Sequence, residues 1–135
     1  MDNEQLGRYW MIFAGVTLIG AGLLGLFVAG NPIASKEEDA LFRVNEIHNV
    51  IHILTGALAF AIAFGTRGMN LANGLLGFGA LYGVVAVLLV VDPTLFGLFD
   101  DVPANAADHV LHAALAIVSL ALGYMLRQRA TSSAW

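Results

Sequence analysis

The sequence predicts an all-α integral membrane protein, a four-helix bundle made of two tandem two-helix hairpins. Three observations predict it. Of the 135 residues, 59% are hydrophobic and 12% charged, against roughly 45–50% and about 25% in an ordinary soluble domain. Four apolar stretches are each long enough to cross a bilayer core of about 30 Å at ~1.5 Å per residue. The second half of the chain also repeats the polar pattern of the first. A domain of this length can bury a core with ordinary composition, so the surplus apolar surface faces lipid. The 15 glycines suit helices that approach closely within a bilayer.

The first span covers about residues 9–30, holds no charge, and is ended by Asn31-Pro32. Its start, Met1-Asp2-Asn3-Glu4, is acidic where a signal peptide is basic, so the run reads as a retained span. In the polar stretch 34–43, Ser35 followed three residues later by Glu38 fits a capping box and predicts a short surface helix. The second span covers about 45–65 and is followed by a tight turn at 66–70. The third covers about 71–91 and stops at Asp92-Pro93. The loop 94–104 carries Leu95, Phe96, Leu98 and Phe99 beside Asp100 and Asp101, and is expected to lie in the membrane interface. The fourth span covers about 105–126, before a polar tail ending at Trp135.

Orientation follows from Lys and Arg near the span ends. Arg8, Arg67, Arg127 and Arg129 stand on one side, and Lys36 and Arg43 on the other among acids. This places both termini in the cytoplasm of a multi-pass plasma-membrane protein, with the two long loops outside. The absence of cysteine excludes disulfides, thiolate zinc, iron–sulfur clusters and a Cys nucleophile. A net charge of -4 without a Lys/Arg cluster argues against nucleic acid. The expected partner is the lipid bilayer.

The repeat is specific. Span two opens Asn45-x-x-His48-Asn49-x-x-His52-x-x-x-Gly56, and span four opens Asn105-x-x-Asp108-His109-x-x-His112-x-x-x-Ala116, an offset of 60 residues. The repeat units are about 1–65 and 66–135. Two spans per copy imply one shared orientation and a pseudo-two-fold along the membrane normal.

This paired pattern resembles the small four-helix bacterial membrane proteins grouped as a domain of unknown function, family 4383. The resemblance covers most of the chain, and its specific part is the two motifs and the hairpin spacing. His109 departs from it, standing where the second motif is expected to carry Asn. The resemblance implies the four-span fold and lends no activity.

At about 100° per residue, Asn45, His48, Asn49, His52, Thr55, Gly56, Ala59 and Ala63 share one helix face. Asp108, His109, His112, Ala116, Ser119 and Gly123 share the matching face of span four. The two faces are expected to pack together, so that His48, His52, Asp108 and His112 converge near the outer surface. Asn45 and Asn105 fit helix N-caps, and the small residues below fit a close helix contact.

Several readings compete for the cluster. His52 and His112 lie roughly 10 Å inside their helices, where they can form a buried hydrogen-bonded pair or a functional site. His48 and His52 at i,i+4, repeated by Asp108 and His112, suit zinc or another imidazole-preferring metal. Asn45, Asn49, Asn105 and His109 would support the ligands. A b-type haem between His52 and His112 is the alternative, opposed by the small residues that draw helices together. His48, nearest the water boundary, fits a solvated residue. A non-catalytic role is also open, as an accessory subunit or a binder of a lipid, quinone or pigment. In that role Gly15, Gly20, Gly22 and Gly25 of span one, and Gly74, Gly77, Gly79 and Gly83 of span three, would meet a membrane-protein partner or a second copy. Packing within the chain is the simpler use of those faces. An enzyme is the weakest case: no nucleophile–base pair or phosphate loop is present, and Asp108 with His112 offers at most a proton relay.

Overall fold

The computed structural model describes residues 2–100 and 102–132. Met1, Asp101 of the interfacial loop, and the tail residues 133–135 ending at Trp135 lie outside the described residues. Helices α1 (Asn3–Phe27), α2 (Glu46–Gly65), α3 (Gly68–Val91) and α4 (Ala106–Ser132) make up the bundle, and each is long and apolar enough to cross a membrane.

Helix α1 begins ahead of Tyr9 because Asp2 caps it. The Asp2 carboxylate accepts from Gln5 N at 2.8 Å, and the Gln5 side chain accepts from Asp2 N at 3.1 Å. This reciprocal box satisfies two of the otherwise unpaired first-turn donors. At its other end the Asn31 amide donates to the carbonyls of Leu24, Val28 and Ala34. That side chain stops the helix and turns the chain.

No helix forms over residues 34–43. Two-residue strands, β1 (Ala34–Ser35) and β2 (Phe42–Arg43), pair in parallel instead. The Asn31 side chain fixes the entry by accepting from Ala34 N at 2.7 Å. Ala34 and Val44 then bury against Ala21 of α1. The Ser35 hydroxyl accepts from Glu37 N rather than capping a helical turn.

The helices pack as the hairpins α1–α2 and α3–α4. The small-residue face of α2 meets α1, not α4: a Cβ added at Gly56 would stand 2.7 Å from Ile19 Cγ1 and 3.0 Å from Ile19 N. In the second hairpin a Cβ at Gly79 would stand 2.9 Å from Leu120 N, and one at Gly123 would stand 3.0 Å from Leu76 N. The expected face-to-face packing of spans two and four is thus corrected. Among the described residues α2 and α4 make no close backbone contact and lie on a diagonal of the bundle. Glycine spacing marks where a neighbour comes close but not which helix supplies it.

The same contacts use up much of the glycine surface that a partner would need. Gly15, Gly22 and Gly25 are filled by α2, Gly74 by Ile62 and Gly79 by α4, leaving Gly20 and Gly77 open. Two polar links join the helices further. Trp10 Nε1 donates to Ser119 Oγ at 2.8 Å. Arg8 donates to the carbonyls of Ala63 and Thr66, closing the C-terminus of α2, and also pairs with Glu4.

Candidate metal centre

The site lies at the end of the bundle that carries the two long connections. Asn45 caps α2 by accepting from His48 N at 2.9 Å. This cap fixes where the first turn starts, and therefore where His48 and, one turn on, His52 point. The two imidazoles are neighbours, with ring centroids 4.3 Å apart. From α4, His112 reaches across the diagonal and stands 5.8 Å from the His48 ring and 5.9 Å from the His52 ring. The three side chains each offer a ligand atom, and those atoms lie within 4.8 Å of one another.

All three histidines are buried: His48 is 1% exposed, His52 1% and His112 2%. His48 is therefore not the solvated residue that its place near the helix start suggests. Its roof is Phe99, whose ring lies against it. Both nitrogens of His48, both of His52, and Nδ1 of His112 are buried without a hydrogen-bond partner. A neutral imidazole carries one donor and one acceptor, and each buried group left unpaired costs about 1–3 kcal/mol.

Asp108 stands outside this ligand group. Its Oδ2 accepts from Asn105 N at 2.9 Å and from Arg43 N at 3.2 Å, while Asp108 N donates to Asn105 Oδ1. It is thus the acid of a capping box and a clasp on strand β2. The spacing Asn-x-x-Asp serves a cap and a metal ligand equally well, and here the backbone donors hold the carboxylate. Its Oδ1 remains buried and unpartnered.

The supporting residues also separate. Asn105 donates from Nδ2 to the carbonyls of Ala40 and Leu41, tying the first connection to α4. Asn49 points away from the histidines and packs its amide on Gly25 of α1. Its Oδ1 is buried without a partner, as is Nδ1 of the half-buried His109.

Two aromatic residues complete the centre that motif reading passed over. Tyr82 of α3 stacks on His112, with centroids 5.6 Å apart, and its hydroxyl bonds Thr55 Oγ1 at 2.7 Å. Its signal is positional: Leu71, Leu75, Phe78, Tyr82 and Leu89 form one buried stripe on α3, and Tyr82 alone among them carries a hydroxyl. Phe99 belongs to a connection with backbone that no helix or strand rule anticipates. Leu95, Phe96 and Asp100 all adopt positive φ, at 51°, 57° and 49°. Such conformations persist only where surrounding contacts enforce them, and they gather near functional sites. Asp92 anchors the loop by accepting from the hydroxyl and the N–H of Thr94, which holds its carboxyl below the usual range.

A family model described as "Domain of unknown function (DUF4383)" matches residues 8–125 of this chain. Among curated proteins and among solved structures, none matches.

Proposed function

The chain belongs to the DUF4383 family, and we propose that it is a multi-pass membrane protein that binds a transition-metal ion through His48, His52 and His112. The observation that carries this reading is the set of five buried ring nitrogens of His48, His52 and His112 without partners, drawn from two helices that, among the described residues, make no close backbone contact. A metal ion is the occupant that satisfies several imidazoles at once. Nitrogens about 2.0–2.1 Å from one zinc ion stand roughly 3.3 Å apart, so closing from within 4.8 Å takes only small side-chain rotations. Imidazole ligands favour zinc or copper among the common ions. Three protein ligands leave one position open, the arrangement of a site that exchanges or binds something rather than one sealed for structure.

A haem fits less well. The cavity beside the histidines measures about 110 Å³, whereas drug-sized ligands occupy roughly 300–1,000 Å³. His48 also fills the space beside His52 that a macrocycle would take. The charge bias of the span ends supports both termini in the cytoplasm, which would put the three histidines at the outer side of the plasma membrane.

The test is metal analysis of the full chain purified in detergent, after exposure to zinc or copper and dialysis. About one ion per chain is expected, falling to background in His52→Ala and in His112→Ala. Equal metal content in the wild type and both variants would overturn the reading. A Soret band in the untreated protein would restore haem.

A further inference from the structure

The 110 Å³ cavity has one polar end and one apolar mouth. The polar end holds the three imidazoles and the Tyr82–Thr55 hydroxyl pair. The mouth is the cleft between α2 and α3. Its rim residues Ile51, Thr55 and Val85 are half-buried, and Leu81 is 42% exposed. Toward the connections the cavity is roofed by Phe99, which is 2% exposed. The open side therefore lies along the apolar flank of two membrane-spanning helices, and the closed side faces the end where water would enter.

The lining limits what can bind. Among the described residues it contains no Lys, Arg, Asp or Glu, so in the metal-free protein an ionised ligand would lose its hydration without gaining a counter-charge. At about 110 Å³ the cavity is smaller than one of about 150 Å³ that takes up benzene, so it limits a ligand to one ring at most, with the rest of the ring and any substituent lying in the open mouth. Neutral imidazoles offer both donors and acceptors. A hydroxyl does the same, whereas a carbonyl only accepts. Tyr82 and Thr55 share one hydrogen bond, and the hydroxyl that donates it keeps free acceptor capacity.

We propose that this cavity binds the hydroxyl-bearing ring of a neutral, lipid-soluble phenol or quinol, which enters from the bilayer between α2 and α3 and sets its O–H against the histidines. The proposal deepens the metal reading, on which it rests for one point: with an ion bound, the hydroxyl oxygen faces the open coordination position. Without an ion the same oxygen meets the imidazole nitrogens directly.

The probe is 4-ethylphenol, titrated calorimetrically into the full chain in detergent, with metal content measured on the same samples. Saturable binding is expected. In metal-free protein 4-hydroxybenzoate, which carries a carboxylate in place of the ethyl group, should bind at least about tenfold more weakly. Leu81→Trp fills the mouth and should weaken 4-ethylphenol by about tenfold or more while leaving metal content unchanged. Val85→Trp, on the same rim, repeats the test should Leu81→Trp fail to fold. Absence of saturable binding to the wild type, or unaltered affinity in a folded rim variant, overturns the proposal. Binding of 4-ethylphenol that a rim variant blocks, in protein that takes up no metal, supports the proposal and overturns the metal reading alone. Metal uptake without phenol binding does the reverse.

Discussion

The ring of Phe99 lies flat on the imidazole of His48, with centroids 4.2 Å apart and planes 5° from parallel. A residue of the second hairpin's connection thus seals a histidine of the first hairpin. Burying both rings of that contact excludes water from the imidazole nitrogens.

Removing the roof should open the centre from the connection end. Phe99→Ala is expected to speed loss of bound metal to a water-soluble chelator such as EDTA by about tenfold or more. It should also lower stability by about 3 kcal/mol, the scale of a buried Phe truncation. Stopped-flow chelation and thermal unfolding in detergent measure the two effects. A variant that loses stability but releases metal at the wild-type rate would show that Phe99 is only a packing residue.

Asp108 and His52 should part company on mutation. Asp108→Ala removes the acceptor for two backbone N–H groups and is expected to cost about 1–3 kcal/mol. Its metal content should stay at the wild-type value, unlike that of His52→Ala. Metal loss equal to that of His52→Ala would return Asp108 to the ligand set.

Glycines that look alike in the sequence should differ sharply. Gly56→Ala meets Ile19 backbone and side chain and should destabilise by about 1–3 kcal/mol through overpacking. Gly20→Ala meets nothing within 4 Å and should be neutral or stabilise by about 0.4–1 kcal/mol, because alanine restricts the unfolded chain. Unfolding midpoints of the two variants in one detergent decide the point, and equal midpoints would contradict the assigned packing.

The Asp92 loop carries a pH signature. Its carboxyl is held below its ordinary value of 3.8 by the Thr94 hydroxyl first and the Thr94 N–H second. A depressed carboxylate contributes stability that is present above the unfolded value and lost as pH falls through the folded one. Thr94→Ala should therefore raise the Asp92 midpoint toward 3.8. Carboxyl-carbon NMR titration reads the change directly, and a midpoint indifferent to Thr94→Ala would assign the effect elsewhere.

These contrasts mark how far the sequence is legible. The four spans are legible because apolar length alone specifies them, and Asn45 and Asn105 are legible as caps because few residue types serve there. The family was legible from the paired motifs. Which helices pair was not: Gly56 and Gly123 advertise a close neighbour, yet Ile19 and Leu76 carry no complementary mark. The histidines were legible as a group on two helix faces, but Asp108 fits two roles at one spacing, and the sequence does not show that its Oδ2 accepts from the backbone N–H groups of Asn105 and Arg43. Phe99 was hidden most deeply. Its position depends on Leu95, Phe96 and Asp100 taking left-handed backbone, and nothing short of the packed loop requires that of three non-glycine residues.

The bonds from Asn105 to Ala40 and Leu41, and from Asp108 to Arg43, join the first connection to the last helix. During synthesis the first hairpin therefore emerges with two of the three imidazoles, and with this connection held to α1 through Asn31, Ala34 and Val44 but not yet tied to α4. Neither the clasp nor the histidine triad can close until α4 has entered the bilayer. The proposed metal site would thus be complete only once all four helices are in place.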